Sequence, residues 1–316
     1  MMKKTKSFIC GIKGTKLLKK EIIFFKKYRP WGIILFSRNI KSLDQTQSLT
    51  KSIRILFNDP YYPILIDEEG GKVSRLRKFI DNSIFSAEFF GNMYVKNKKK
   101  FNIFLDIYVN QISYLLNLLG ININTAPVLD LKNKKTHSII GKRSFSKNKK
   151  IVSELGDIYI SKFKKNKIIT VIKHIPGHGL AIVDSHKKTP YINKPYSYLI
   201  KNDFFTFKNK QSLFAMTAHV IFSCIDPINT VTHSKKIIDI IRKKIGFKNL
   251  IISDDISMKA LKYTTSENTK RSFAAGCNLI LHCNANLKEM LIVAKNSPYI
   301  DKFIIKKTKQ FRSIIR

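Results

Sequence analysis

A chain of 316 residues is long enough for one large domain or two ordinary ones, and either can bury a substantial core. Lysine and arginine number 59 against 21 aspartate and glutamate, a formal net charge of +38, which taken alone would suit nucleic acid or an anionic membrane surface. The lysines are instead spread through many short runs, such as Lys98 to Lys100, Lys147 to Lys150 and Lys162 to Lys167, with no single basic arm; Ile and Asn are abundant beside them, as AT-rich coding would impose on solvated surfaces, so neither partner is expected.

Short apolar, β-branched runs alternate with longer amphipathic segments along the whole chain. The first run, Phe8 to Ile12, is too short for the core of a signal peptide, and no stretch of about 20 apolar residues follows to span a membrane. It reads as a buried strand. Seven more follow at Gly32 to Phe36, Pro63 to Asp67, Ile121 to Pro127, Ile168 to Lys173, Leu213 to Thr217, Leu250 to Ser253 and Asn278 to Leu281. Each is continuously apolar, as a strand covered on both faces must be. Between them, Thr15 to Tyr28, Leu43 to Phe57, Phe101 to Leu119, Ile151 to Phe163, Lys235 to Ile245 and Ser266 to Ala275 carry apolar residues at spacings of three and four, the mark of helices with one buried face. From Leu287 to Arg316 the chain reads as a closing helix and a basic tail. Eight strand-then-helix units, with no linker rich in Pro, Gly or Ser, predict an α/β fold, a single (β/α)8 TIM barrel over residues 1–316.

A barrel of this kind places its chemistry at the C-terminal ends of its strands. Asp67 ends the third predicted strand, Asp130 follows the fourth, Lys173 and His174 end the fifth, His219 closes the sixth, and Asp254 with Asp255 ends the seventh. The densest stretch is Lys173-His174-Ile175-Pro176-Gly177-His178-Gly179, followed by Asp184-Ser185-His186. Pro176 and the glycines break any regular element there, so the polar side chains fall where a strand gives way to a loop. His174 and His178 are four apart, but Pro176 and Gly177 forbid the helix that a helical zinc site requires, so no metal is expected. Asp184 and His186 can form a carboxylate–imidazole bond that fixes the ring's tautomer. Asp67, Glu68 and Glu69 precede a Gly-Gly turn, with Arg75 beyond it. They read either as acids at a helix N-terminus or as acceptors for a polyhydroxylated ligand. Asp254-Asp255 reads as an N-cap pair for a helix starting near Met258, with one member free to point into the barrel mouth. The four cysteines form no Cys-x-x-Cys pair, which fits a reduced, cytoplasmic setting.

Six collinear motifs, Asp67-Glu68-Glu69-Gly70-Gly71-Lys72-Val73-Ser74-Arg75, Gly141-Lys142-Arg143-Ser144-Phe145, Lys173 to Gly179, Asp184-Ser185-His186, Met216-Thr217-Ala218-His219-Val220 and Ser253-Asp254-Asp255-Ile256-Ser257-Met258, resemble the bacterial β-N-acetylhexosaminidases of glycoside hydrolase family 3. The resemblance implies a retaining exo-enzyme that removes terminal β-linked N-acetylglucosamine from peptidoglycan fragments during cell-wall recycling, as a monomer without a cofactor. It makes Asp254 the nucleophile and His186, oriented by Asp184, the general acid and then base. Asp67, Arg75, Arg143, Lys173 and His174 would bind the sugar, and His219 would support that pocket. An imidazole suits proton transfer near neutral pH, and the loop carrying His186 is expected to close over bound sugar. Glu68, Lys72 and Asn249 stand where the family usually has glutamine, arginine and glycine. Two alternatives stay open: transfer of the sugar to phosphate, and a catalytically silent basic binder of nucleic acid or anionic glycan.

Overall fold

Eight runs of Ile, Leu, Val and Phe shielded on both faces require a sheet that is covered or closed on itself, and in the computed structural model of the protein it closes. The structure describes residues 4–133, 136–138 and 140–316. Strands β1 (Lys6–Gly11), β2 (Pro30–Leu35), β3 (Ile64–Ile66), β4 (Ile123–Asn124), β5 (Ile169–Ile175), β6 (Phe214–Thr217), β7 (Leu250–Asp255) and β8 (Leu279–His282) form a closed barrel in chain order. Every neighbouring pair is parallel, and β8 returns to β1 through Phe8 opposite Ile280. This is the predicted (β/α)8 TIM barrel.

Two strands are shorter than their apolar runs because side-chain amides replace the backbone ladder beside them. Asn122 accepts from the Ile64 N–H at 2.9 Å and donates to the Tyr62 carbonyl at 2.9 Å. Asn124 holds the Glu68 backbone the same way, at 3.0 and 2.8 Å. β7, in contrast, continues past Ser253 through both aspartates.

Helices α1 (Lys19–Tyr28) and α2 (Leu43–Phe57) lie close to their predicted positions. The next unit holds two helices, α3 (Ala87–Lys96) and α4 (Lys98–Leu118). Asn97 separates them, and its side chain accepts from the Lys100 N–H at 2.9 Å, so α4 begins three residues before Phe101. Helix α5 (Lys149–Lys165) precedes β5; the short α6 (Tyr196–Lys201) and a 3₁₀ turn, Asp203–Phe207, precede β6. After β6 comes α7 (Lys235–Ile240), which runs on into a π turn, Ile241–Ile245. The aspartate pair of β7 caps no helix near Met258: α8 (Thr265–Ala275) starts later and takes Thr264 as its cap.

The expected basic tail is a helix. After α9 (Leu287–Asn296), Pro298 interrupts the chain and α10 (Lys302–Ile315) folds under the barrel, burying Ile304, Thr308 and Phe311. Thr308 accepts from the Trp31 indole N–H at 2.9 Å. The Phe311 ring lies 6.4 Å from that of Trp31 and 6.1 Å from that of Phe214. The N-terminal end of the barrel is thereby plugged, which leaves the C-terminal mouth as the open end. Among the described residues no helix is long and apolar enough to cross a membrane.

Candidate active site

The open mouth holds a cavity of about 200 Å³ lined by Asp67, Glu69, Arg75, Arg143, Lys173, His174, His178, His186, Asp254 and Asp255, with Phe36, Met216 and Met258 among its apolar walls. Seven of the site residues expected from the sequence (Asp67, Arg75, Arg143, Lys173, His174, His186 and Asp254) therefore line one cavity. Asp184 is bonded directly to His186, and His219 lies behind the cavity.

One side of the mouth is an ion lattice built from the ends of β3 and β5. The ammonium of Lys173, buried in the barrel mouth, sits 3.0 Å from Asp67 and 2.6 Å from Glu69. Arg143 grips Glu69 through two nitrogens at 2.7 and 2.9 Å, and Arg75 reaches Asp67 at 3.4 Å. Thr125 adds a short hydroxyl bond to Asp67. Burial on its own would push both carboxyls up, but the facing cations overturn it. Asp67 is held well below the usual carboxylate range by Lys173 and Arg75, and Glu69 is brought down to about 2 by Arg143 and Lys173. Both acids are ionised at neutral pH and committed to cations. Glu68 plays another part: wholly buried, it accepts from the Ser74 hydroxyl, the Arg75 and Leu76 N–H groups and the Asn82 amide, at 2.6 to 3.1 Å, and so folds the loop that delivers Arg75.

A buried carboxylate organises the end of β5. Asp130 accepts from the backbone N–H groups of His174 and His178 at 3.2 and 2.7 Å through one oxygen and meets His174 Nδ1 at 2.7 Å through the other. Burial raises its carboxyl, yet the imidazoles and N–H groups around it bring it below the ordinary value. His174 is therefore aimed by its Nδ1, leaving its other face for the cavity. The loop can run this close only because residue 179 is glycine, where a Cβ would stand 1.8 Å from the Leu131 carbonyl oxygen. His178 is brought down to about 4 by burial and by His174, so its ring is neutral.

Two groups complete the mouth. Asp184 accepts from His186 Nδ1 at 2.9 Å and from the His186 N–H at 2.8 Å; burial disfavours its charge, yet these bonds hold it below its ordinary value. The His186 ring is 59% exposed and open to the cavity. At the tip of β7 the two aspartates part company. Asp255 accepts from the Ser257 N–H at 3.1 Å, the Ser257 hydroxyl at 2.8 Å and the Cys283 N–H at 3.2 Å, fixing the turn. Among the described residues the Asp254 carboxylate accepts only the N–H of Asp255, at 2.7 Å. Burial disfavours its charge, but His219, His174 and Lys173 nearby hold it below the usual range. It is an ionised carboxylate with open lone pairs.

His219 does not line the cavity. It is completely buried behind β7, bonding Thr232 at 2.7 Å and the Asp255 carbonyl at 3.0 Å, and so buttresses the strand tip from beneath. Glu69 is visible in the sequence only as one of three adjacent acids; its bonds to Arg143 and Lys173 span 74 residues and more, beyond the reach of local patterning. Asp130 carries the signal of a strand-end acid but no indication of its partners. Of the three departures from the family pattern, none touches the cavity: Glu68 is internal, Lys72 is exposed, and Asn249 bonds the Ser212 carbonyl at the barrel's lower end.

A (β/α)8 barrel whose mouth gathers committed acid–cation pairs, one uncommitted carboxylate and an exposed imidazole backed by a carboxylate is of the enzyme class that binds polyhydroxylated ligands and works on them by acid–base chemistry. The sequence profile of the Glycosyl hydrolase family 3 N terminal domain matches residues 14–309. A "Beta-hexosaminidase" of Nitrosomonas eutropha is 32% identical over 283 residues, spanning 86% of this chain and 79% of that protein. Native NagZ from Neisseria gonorrhoeae superposes with a TM-score of 0.86 at 26% identity, over 98% of this chain and 89% of that one. The same protein in complex with N-trifluoroacetyl-D-glucosamine superposes at 0.81 with 25% identity, over 98% and 96% of the two chains. The chain belongs to glycosyl hydrolase family 3 and is a glycoside hydrolase.

Proposed function

We propose that the protein is a retaining exo-β-N-acetylglucosaminidase that removes terminal β-linked N-acetylglucosamine from peptidoglycan fragments in the cytoplasm, as a monomer without a cofactor, during cell-wall recycling. The relatives' activity name and the N-acylated glucosamine bound by the Neisseria protein support the sugar. The observation that carries the chemistry is the contrast between Asp254, ionised and uncommitted, and its neighbours Asp67, Glu69 and Asp255 around the same cavity, each already bonded to cations or a turn.

Asp254 attacks the anomeric carbon as its bond to the aglycone oxygen breaks, and His186 passes a proton to that departing oxygen. The ionised Asp184 holds Nδ1–H, so the Nε2 side carries the transferable proton, and it stabilises the imidazolium before transfer. In the second half, neutral His186 takes a proton from water as the water oxygen attacks the anomeric carbon and Asp254 leaves. Two displacements on opposite faces retain the β configuration. Asp67, Arg75, Arg143, Lys173 and His174 bind the hydroxyls and the acetamido group. Their ion pairs fix them before sugar arrives, which lowers the ordering cost of binding.

Proton NMR of the earliest product from an aryl β-N-acetylglucosaminide tests this reading. Free sugar in the β form, mutarotating afterwards, is expected. First-formed α sugar, or sugar 1-phosphate as the main product when phosphate is added, would replace it with inversion or with phosphorolysis.

A further inference from the structure

The bonds between Asp184 and His186 lie within three residues of chain, so they shape the pair without placing it relative to Asp254. Placement comes from the residue between them. Ser185 is buried, only 4% exposed, although His186 beside it is open to solvent. Its hydroxyl lies 3.2 Å from His178 Nε2, and its carbonyl accepts from the Ala260 N–H at 3.1 Å. Thr189 adds a second tie, donating to the Ala260 carbonyl at 2.8 Å. The first bond reaches the loop after β5, the others the loop after β7 that follows Asp254. His178 is itself anchored by Asp130, the same carboxylate that aims His174 into the cavity.

The His178 ring is neutral, so across this bond one partner donates and the other accepts.

We infer that Ser185 is a positioning residue for the proposed acid: its hydroxyl, bonded to His178, and its carbonyl, bonded to Ala260, set the register of the Asp184–His186 loop between the strands that carry the sugar-binding His174 and Asp254 whenever the loop occupies this position. The inference rests on the glycosidase reading above. It also makes the Asp130–His178–Ser185 chain a link between the sugar-binding wall and the proton donor.

Ser185→Ala removes the hydroxyl bond and leaves the carbonyl bond in place. The readout is kcat/KM on two aryl β-N-acetylglucosaminides, one with a dinitrophenyl leaving group that needs no protonation and one with an unsubstituted phenyl group that does. General acid catalysis contributes about 10²–10⁴-fold, so partial misplacement should cost about 10-fold on the phenyl substrate and under about 2-fold on the dinitrophenyl one. Ser185→Thr, which keeps the oxygen, should restore most of the phenyl rate. Equal loss on both substrates, or no loss on either, would overturn the inference. Should Ser185→Ala fail to fold, Ser185→Cys, which fills the same space but bonds far more weakly, is scored identically. The parent reading fails separately: wild-type protein that turns over neither substrate defeats the glycosidase assignment, whereas an active wild type with an indifferent Ser185→Ala defeats only the positioning role.

Discussion

Asp254 and Asp255 are adjacent and chemically identical, yet the fold gives them opposite surroundings. Asp255 directs its acceptors to Ser257 and Cys283, while Asp254 lines the cavity and, among the described residues, accepts only the Asp255 N–H. Asp254→Asn is therefore expected to lower kcat on the order of 10³-fold or more while leaving the melting temperature near wild type. Asp255→Ala is expected to lose about 1–3 kcal/mol of stability, because two backbone N–H groups and a hydroxyl lose their acceptor. Thermal melts and steady-state kinetics on both variants check the split. Asp203 offers a second test. It is buried against Gly177, neither carboxyl oxygen has a hydrogen-bond partner among the described residues, and burial together with Asp130 pushes it up to about 7 from 3.8. Its raised value means that the folded state keeps the proton after the unfolded chain has released it. Stability from this group is full below about pH 4 and lost as pH rises towards 7. Asp203→Asn should accordingly raise the melting temperature more at pH 8 than at pH 4.5; an equal shift at both would show that the carboxyl is not being forced to ionise. Strand-end positions make Asp67, Lys173, His174 and Asp254 legible in the sequence. The pairings that give each its state are not, because Asp67 and Lys173 are 106 residues apart and meet only when the barrel closes.

At the scale of elements, the eight strands are readable because burial on both faces leaves an unbroken apolar run. Their lengths are not, since Asn122 and Asn124 supply backbone-like bonds that no hydropathy pattern records. Helix α3 is hidden by its short length and by Gly91, which stands where a Cβ would meet the Phe145 carbonyl oxygen at 1.7 Å. The C-terminal segment reads as a tail for a related reason: Lys302, Lys306, Lys307, Lys309, Arg312 and Arg316 outweigh a narrow buried stripe of Ile304, Thr308 and Phe311. That stripe closes the bottom of the barrel against Trp31 and Phe214. Phe311→Ala should cost about 3–5 kcal/mol, as other large-to-small changes in packed cores do, and denaturant titration would show it. A loss under about 1 kcal/mol would mean that α10 is not part of the cooperative core.

For the whole molecule, a charge of +38 must be carried by a fold whose active site is itself a balance of acids and bases. Several of the acids are gathered at the barrel mouth, and much of the lysine excess is left on exposed helix faces. Mutual repulsion among those lysines opposes compaction and is screened within about 10 Å at 0.1 M salt. The melting temperature should rise between about 10 mM and 300 mM sodium chloride, and a fall would show that attractive surface pairs outweigh the repulsion. The central claim concerns one atom pair at the mouth of this barrel. Incubation with a slow, fluorinated N-acetylglucosaminyl substrate, followed by proteolysis and mass analysis, should find the sugar attached to Asp254. A label on Asp255, or turnover of the substrate with no labelled peptide at any time, would contradict it.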